Sequence, residues 1–541
     1  MPLSVNQQLT LRQLWGGIVP GFVDAAELPS VPTWPPDMFA LCCYALRQGG
    51  AYVGALTRWT GDDAEDWAVF CGQVAAEWIR DAAFGGFSGK VPKRVAALWA
   101  DVTARLDEDL LNSPDATLRR ALLSLCALAD DACRFAVALG NPHRSYSKAV
   151  LICILRALNA LMASDRSTLC ELVPPNRIRV LPRQRCPQKG LTIRSLSLYV
   201  GLVETPDMAP RFDAVPIDDD VSLSILVVPW PLEVFPSQFS PSKSLANEMP
   251  TMPVSFGFFS YDPEDPGEAL WEWIGVLLDE AAKAASGIKL VLLPELAIPR
   301  ETGERLAERL AERGIGLVAG VAKEGAGERH AANQVLIALP GAAPVLQGKH
   351  HRWQLEENQI RQYSLGGSLH PGRKWWEHID LTTRVLTFTR LQPWLDTCIL
   401  ICEDLARPDP AGDLVRALGP GLTIALLMDG PQLETRWAAR HATTLAEDPG
   451  SSVLTLTSLG MAGLSRPRVG VSRKRVVGLW KEQDLPIQEL ELPQGSDAAV
   501  ITLSMKAVAD WSADGRRRRT AVPILSAFYP LMSRFPQRAA K

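Results

Sequence analysis

The sequence predicts an α/β protein, in which a mostly α-helical N-terminal domain precedes a larger layered α/β domain. Three observations carry that expectation. Apolar residues recur every three or four positions through most of residues 1–165, the spacing of amphipathic helices. From Val221 onward, short apolar runs alternate with helical stripes, the pattern of strands separated by helices. Between them, residues 166–220 turn basic and proline-bearing, a composition shift of the kind found at boundaries. At 541 residues the chain is too long for one core. The division expected is residues 1–165 as a helical regulatory or partner-binding domain, 166–220 as a connector, and 221–541 as the α/β domain.

Bulk composition narrows the function classes. Hydrophobic content of 47% and charged content of 21% are those of a soluble globular protein. A net charge of -4 supplies no field to recruit nucleic acid or an anionic membrane, so neither is an expected partner. The one basic cluster, Arg516 to Arg519 beside Asp514, reads as a solvated loop. Ten cysteines are scattered without a CxxC pair or zinc-type spacing, which points to reduced thiols and a cytoplasmic setting, with no metal or other cofactor. The N-terminus has no basic region leading into an apolar core. The most apolar run, Ala149–Leu155, is broken by Arg156 and is too short to span a bilayer.

In the helical region, Trp67, Trp78 and Trp99 fall in periodic segments at Glu65–Asp81 and Val91–Leu111. Leu118, Ala121, Leu122, Leu125, Leu128 and Ala129 form a core stripe that Asp130 and Asp131 interrupt. Trp34-Pro35-Pro36-Asp37 marks a helix start, with Asp37 placed to cap Met38–Leu46. The Gly-Lys pair in Gly85–Val91 lacks the spacing of a phosphate loop. The connector holds Pro174, Pro175, Arg177, Arg179, Arg183, Arg185 and Pro187, then a strand at Ser195–Val203 and an acidic patch at Asp218–Asp220.

Strands are expected at Ser222–Val228, Pro253–Ser260, Ile288–Leu293, Ile315–Val321, Asn333–Leu339, Val385–Arg390, Thr397–Ile401, Gly421–Met428, Ser452–Ser458 and Ala498–Ser504. Turns fall at Gly325 and at Pro340-Gly341, and residues 229–252 form a proline- and serine-rich insertion. Helices are expected at Glu268–Ala285 closed by Gly287, at Arg300–Gly314 with a Glu301–Arg305 pair, and at Glu434–Ala446.

Chemistry concentrates at strand ends. Thr397–Asp404 is an apolar run that ends in Cys402, Glu403 and Asp404, where an elbow would lift the thiol into a cleft. Cys398, four residues earlier, belongs inside the strand and reads as core. Leu292-Leu-Pro-Glu295 ends one upstream strand, and Leu346-Gln-Gly-Lys349 follows another. This ordered Glu, Lys and Cys resembles the carbon–nitrogen hydrolase, or nitrilase, superfamily over residues 220–530. The Cys-Glu-Asp form is similar to the glutamine-amidase domains of glutamine-dependent NAD synthetases. The N-terminal half lies outside the resemblance.

The resemblance implies a four-layer αββα sandwich that hydrolyses a small non-peptide amide or related C–N bond, and a homo-oligomer formed through the hydrolase domain. It implies Cys402 as nucleophile, Glu295 as base, Lys349 as oxyanion stabiliser, and Glu357, eight residues after Lys349, as second glutamate. Glu356 is the one-register alternative. The Lys349–Cys402 interval is longer than the family's usual spacing, and the Glu295–Lys349 interval is shorter. Those residue types suit one another, because a thiol of pKa near 8.5 needs a base or cation to react at neutral pH. A cation and the backbone N–H after Cys402 would stabilise the tetrahedral oxyanion. The competing arrangement pairs Cys402 with His441, His350 or His351. The reading from a different class is a sensor or scaffold, suited to a bacterial defence module, whose hydrolase-like domain binds a ligand or assembles while the helical domain holds a protein partner.

Overall fold

A computed structural model describes residues 8–535 apart from 24–28, 51, 53–60, 86–89, 112–115, 141–144, 163–166, 205–207, 215–219, 243–254, 286, 324–330, 383 and 466–473. Several sequence expectations lie wholly or partly outside the described residues: the Gly-Lys segment, Asp218–Asp219, most of the second half of the 229–252 insertion, the start of the Pro253 strand and the turn at Gly325.

Helices account for the regular structure between residues 11 and 162: Leu11–Ile18, Pro35–Gln48, Gly61–Phe84, Lys93–Thr103, Ala116–Ala132 and Lys148–Met162, with a 3-10 stretch at Cys133–Gly140. Their apolar faces share one core that includes Trp15, Trp34, Trp78 and Trp99. Trp15 and Trp99 stack with ring centroids 5.0 Å apart. Burying an indole requires a partner for its N–H. Trp15 donates to the Leu41 carbonyl, Trp34 to that of Leu169 and Trp99 to that of Pro29. Asp37 is not the cap expected of it. The helix starts earlier, at Pro35, and the buried Asp37 carboxylate accepts the backbone N–H groups of Glu171, Leu172 and Val173.

The stretch 166–220 is more than a connector. It contributes an antiparallel pair, β1 (Arg179–Pro182) and β2 (Val200–Val203), and then β3 (Ala209–Ala214). The 195–203 strand expectation is half met, because Ile193–Leu196 is a 3-10 turn.

Strands β4 (Ser222–Val227), β5 (Phe239–Pro241), β6 (Phe256–Tyr261), β7 (Ile288–Pro299), β8 (Gly316–Lys323), β9 (Ala332–Ala338) and β10 (Val345–Gly348) follow. After them come β11 (Gln354–Leu355), β12 (Lys374–Glu377), β13 (Val385–Gln392), β14 (Leu395–Ile401), β15 (Leu422–Leu427) and β16 (Ser452–Thr457). The last four are β17 (Val476–Lys481), β18 (Gln488–Glu491), β19 (Ala498–Trp511) and β20 (Arg517–Leu531). They build two seven-stranded sheets, ordered β10-β9-β8-β7-β4-β19-β20 and β18-β17-β16-β15-β14-β13-β3, and a small sheet ordered β11-β12-β6-β5. Strand β3 joins the second large sheet parallel to β13, so that sheet draws an edge from outside the predicted 221–541 domain.

Alternation along the strands explains how the sheets pack. Leu290 and Leu292 of β7 share a core with Ile399 and Ile401 of β14, so the two large sheets face each other. Val291 and Leu293 turn the other way, onto the helices Glu268–Ala284 and Arg300–Ala311. On the far face of the second sheet, Cys398 and Leu400 pack with the helices Asp413–Leu418 and Trp437–Glu447. The expected Glu301–Arg305 pair is replaced by Arg300–Glu304 at 2.8 Å, with Arg305 donating to Thr302.

The basic cluster is not a solvated loop. Arg516 and Arg518 are buried, and β20 starts at Arg517. Arg516 binds Asp130 and Asp514, each at 2.8 Å, and donates to the carbonyls of Ala127 and Leu196. Asp130 also accepts the backbone N–H groups of Leu198, Tyr199 and Val200. The residue that interrupts the apolar stripe therefore anchors the helices to both the 166–220 stretch and the C-terminal hairpin. Arg183 and Arg185 are buried in the same seam, Arg185 against Asp510 at 3.0 Å. No helix among the described residues is long and apolar enough to cross a membrane.

Candidate active site

Glu295 owes its position to a defect in a strand. Strand β7 runs in register with β8 up to Leu293–Ala319 and again from Ile298–Val321, so four residues of β7 oppose the single Gly320. The extra residues loop out as a bulge, and Leu296 takes a left-handed φ of 48°. Gly320 lies directly beneath it: a Cβ there would sit 2.3 Å from the Pro294 carbonyl oxygen and 2.5 Å from the Glu295 Cα. The bulge turns the Glu295 carboxylate into a buried site.

Lys349 follows β10 directly. Its backbone N–H is held by the Asn333 carbonyl on β9, and its ammonium contacts Glu295 Oε1 at 2.7 Å and Glu377 Oε2 at 2.6 Å. All three charges are buried. Asn333 Nδ2 donates to Glu295 Oε1 and to Glu377 Oε1, both at 2.7 Å, and the Trp353 N–H donates to Glu377 Oε2. Glu295 Oε2 is buried without a hydrogen-bond partner. Burial, reinforced by the charge on Glu377, holds the Glu295 carboxyl above its ordinary range, although Lys349 and Asn333 pull against this. Burial opposes the Lys349 ammonium, but Glu295 and Glu377 outweigh it and keep the lysine charged.

Cys402 stands at the end of β14, the first residue of a 3-10 turn to Leu405, with a left-handed φ of 46°. Few non-glycine residues adopt that conformation, and those that do cluster at functional sites. Burial pushes the thiol pKa well up; Glu295 adds to this and Lys349 opposes it. The resting sulfur is therefore a neutral thiol and needs a base to become a nucleophile. Asp404 ties this turn to the lysine loop, because its buried carboxylate accepts the His350 N–H and bonds His351 Nδ1 at 2.9 Å. Cys402 opens onto a cavity of about 360 Å³ lined also by Trp353, Glu403, Arg407, Asp429, Trp437 and His441. Asp429 is fixed by Tyr363, Arg436 and the Trp437 indole N–H, while Arg407 pairs with Glu403.

The structure thus brings Glu295 and Lys349 into contact and places the Cys402 thiol within the field of both. It does not bring Glu357 there. Glu357 begins the helix Glu357–Gln362, its side chain is 56% exposed, and it pairs with Arg361 on the surface. The neighbouring Glu356 is also exposed, with Lys374 at 3.7 Å. Glu377 occupies the place expected for Glu357. Its sequence context hides it, because it ends a four-residue strand in a stretch without a long apolar run, where the alternation of Trp375 and Glu377 is the signal present. Of the histidines, His351 is engaged by Asp404, whereas His441 faces the cavity and meets Trp437 edge-on. Among the described residues no cluster of His, Cys, Asp and Glu is arranged to hold a metal ion.

These placements make the two glutamates separable. Glu377→Gln should move the midpoint of Cys402 alkylation by iodoacetamide to lower pH, because the charge on Glu377 helps hold the Glu295 carboxyl above its ordinary range. Glu357→Ala should leave that midpoint unchanged, as expected on removing an exposed ion pair. Intact-mass kinetics on both variants decide the matter, and equal effects would return Glu357 to the site.

No protein-family model matches the chain. No curated protein matches it either. Among solved structures, those similar to it include proteins of the nitrilase superfamily. Nit3 of Saccharomyces cerevisiae, from branch 10 of that superfamily, aligns over 53% of this chain and 93% of its own at 14% identity and a TM-score of 0.33. A CN-hydrolase superfamily protein from Xanthomonas campestris aligns over 52% of this chain and 89% of its own, at 17% identity and a TM-score of 0.30. An amidase from Nesterenkonia sp. aligns over 56% and 95%, at 14% identity and a TM-score of 0.31.

Proposed function

We propose that the chain is a carbon–nitrogen hydrolase of the nitrilase superfamily, acting on a small non-peptide amide through a thioester on Cys402. On this reading the two large sheets and the helices on their outer faces are its αββα sandwich, and the helical N-terminal region is an appended domain. The observation that carries the proposal is the buried Glu295–Lys349–Glu377 cluster, whose one unpartnered carboxylate oxygen lies in the charge field of a thiol at a strained elbow.

The chemistry follows from the charges. Glu295 Oε2 takes the Cys402 proton as sulfur attacks the carbonyl carbon, and the proton passes to the departing nitrogen, so that ammonia or an amine leaves. Lys349 and the backbone N–H after Cys402 stabilise the tetrahedral oxyanion. Water then attacks the thioester. Glu295 accepts the water's proton and returns it to the thiolate, which regenerates the thiol and releases a carboxylic acid. Because the base must be ionised and its pKa is raised, activity should increase with pH through a midpoint above about 4.3, the ordinary glutamate value. A cavity of this size admits a small substrate.

The test is ammonia release from a panel of small primary amides, followed by intact-mass detection of the acyl-enzyme. Wild-type protein should turn over at least one amide and Cys402→Ala none, with its unfolding curve unchanged. An adduct mapping to another residue would sink the assignment. Protein that binds amides without any covalent intermediate would point to the ligand-binding reading.

A further inference from the structure

Two carboxylates held 2.6–2.7 Å from a single ammonium carry one negative charge more than that ammonium neutralises. Left to themselves, Glu295 and Glu377 would repel each other, and one would turn away or take up a proton. The group that prevents this is neutral. Asn333 projects from β9, where it opposes Ala322 of β8, and its amide nitrogen bridges Oε1 of both glutamates at 2.7 Å. Its main-chain oxygen holds the Lys349 N–H at 3.0 Å. One residue therefore touches both carboxylates and the backbone of the lysine. Reversing the amide would set its oxygen against two carboxylates, so the donor orientation is fixed by charge.

Resting on the hydrolase reading above, we propose that Asn333 is a positioning residue that, with Lys349, occupies Glu295 Oε1 and so reserves Oε2 as the oxygen that exchanges protons with Cys402. The groups facing Glu295 are Lys349 beyond β10, Glu377 on β12, Cys402 at the elbow and Asn333 on β9, and of these Lys349 and Asn333 hydrogen-bond it, the second without a charge. Two hydrogen-bond donors on one oxygen favour the ionised carboxylate and leave the other oxygen's lone pairs unused. Removing the amide while leaving Lys349 makes Glu295 harder to ionise, because burial and the Glu377 charge already disfavour its anion.

The test needs no knowledge of the substrate. The rate of Cys402 alkylation by iodoacetamide is followed by intact mass against pH, with Cys402→Ser as the control that assigns the label. In Asn333→Leu, which keeps the shape and removes the donor, the midpoint of the rate profile should move to higher pH by about one unit. Near neutrality the rate should fall by up to about tenfold, the factor one unit represents. Asn333→Ser, smaller and still carrying one donor, should show an intermediate shift, and it keeps the proposal open to refutation if the leucine variant does not fold. A uniform drop in rate at an unchanged midpoint in either folded variant would show Asn333 to be merely structural and would overturn the proposal. If wild-type Cys402 itself shows no base-dependent midpoint, the hydrolase reading fails. A wild-type midpoint shared by both variants removes only the role of Asn333.

Discussion

Gly320→Ala is expected to lower the rate of Cys402 alkylation by iodoacetamide by about 10²-fold, although every residue of the proposed reaction is still present. A Cβ at that position would lie 2.3 Å from the Pro294 oxygen and 2.7 Å from the Leu296 nitrogen. Both are backbone atoms that cannot rotate away, so the bulge carrying Glu295 must lift. A displacement of about 1 Å at a reacting group costs about two orders of magnitude. Overpacking should also destabilise the fold, by about 1–3 kcal/mol. Iodoacetamide kinetics together with denaturant unfolding separate the two effects. A variant that keeps its wild-type alkylation rate would mean that the bulge does not set the position of Glu295.

Arg516→Met should cost about 3–5 kcal/mol of stability, the range for removing one partner from a buried ion pair. The methionine fills much of the same volume but leaves Asp130 and Asp514 without their cation, and two backbone carbonyls without a donor. Arg517→Met is the matched control, because Arg517 is the adjacent residue and is exposed. The difference between their urea unfolding midpoints measures the effect. A loss under about 1 kcal/mol would place Arg516 with ordinary surface pairs.

The parts of this fold that were legible in the sequence share a physical cause. Strands such as β4, β7, β14 and β15 are buried on both faces, so they appear as continuous apolar runs; Glu295 and Cys402 are readable because each follows such a run, and Lys349 because it stands just past a strand end. Glu377 and Asn333 were not readable as site residues. The strand carrying Glu377 has four residues and belongs to a small sheet whose pairing to β6 is parallel and remote in sequence. The sequence pattern places Asn333 in a strand, but nothing local distinguishes a polar residue that bridges two carboxylates from one that faces water. The same limit governs the seam. A charged side chain reads as surface unless its counter-charge is known, and those of Arg185 and Arg516 are supplied by Asp510 and Asp130, hundreds of residues away. The same holds for the stretch 166–220. Its arginines mark an interior built from distant pieces.

The span between Asp130 and Arg516, 386 residues, also bears on the order in which the protein is made. During synthesis the helices emerge first, and domains generally begin to fold in that order. Asp130 must then wait for nearly the whole α/β region before its cation arrives. Until then the helical bundle carries an interior carboxylate that lacks its ion-pair partner. The N-terminal helices therefore reach their final packing only when the C-terminal hairpin closes over them, and a ribosome-stalled chain ending before Arg516 should stay sensitive to protease within the helix Ala116–Ala132.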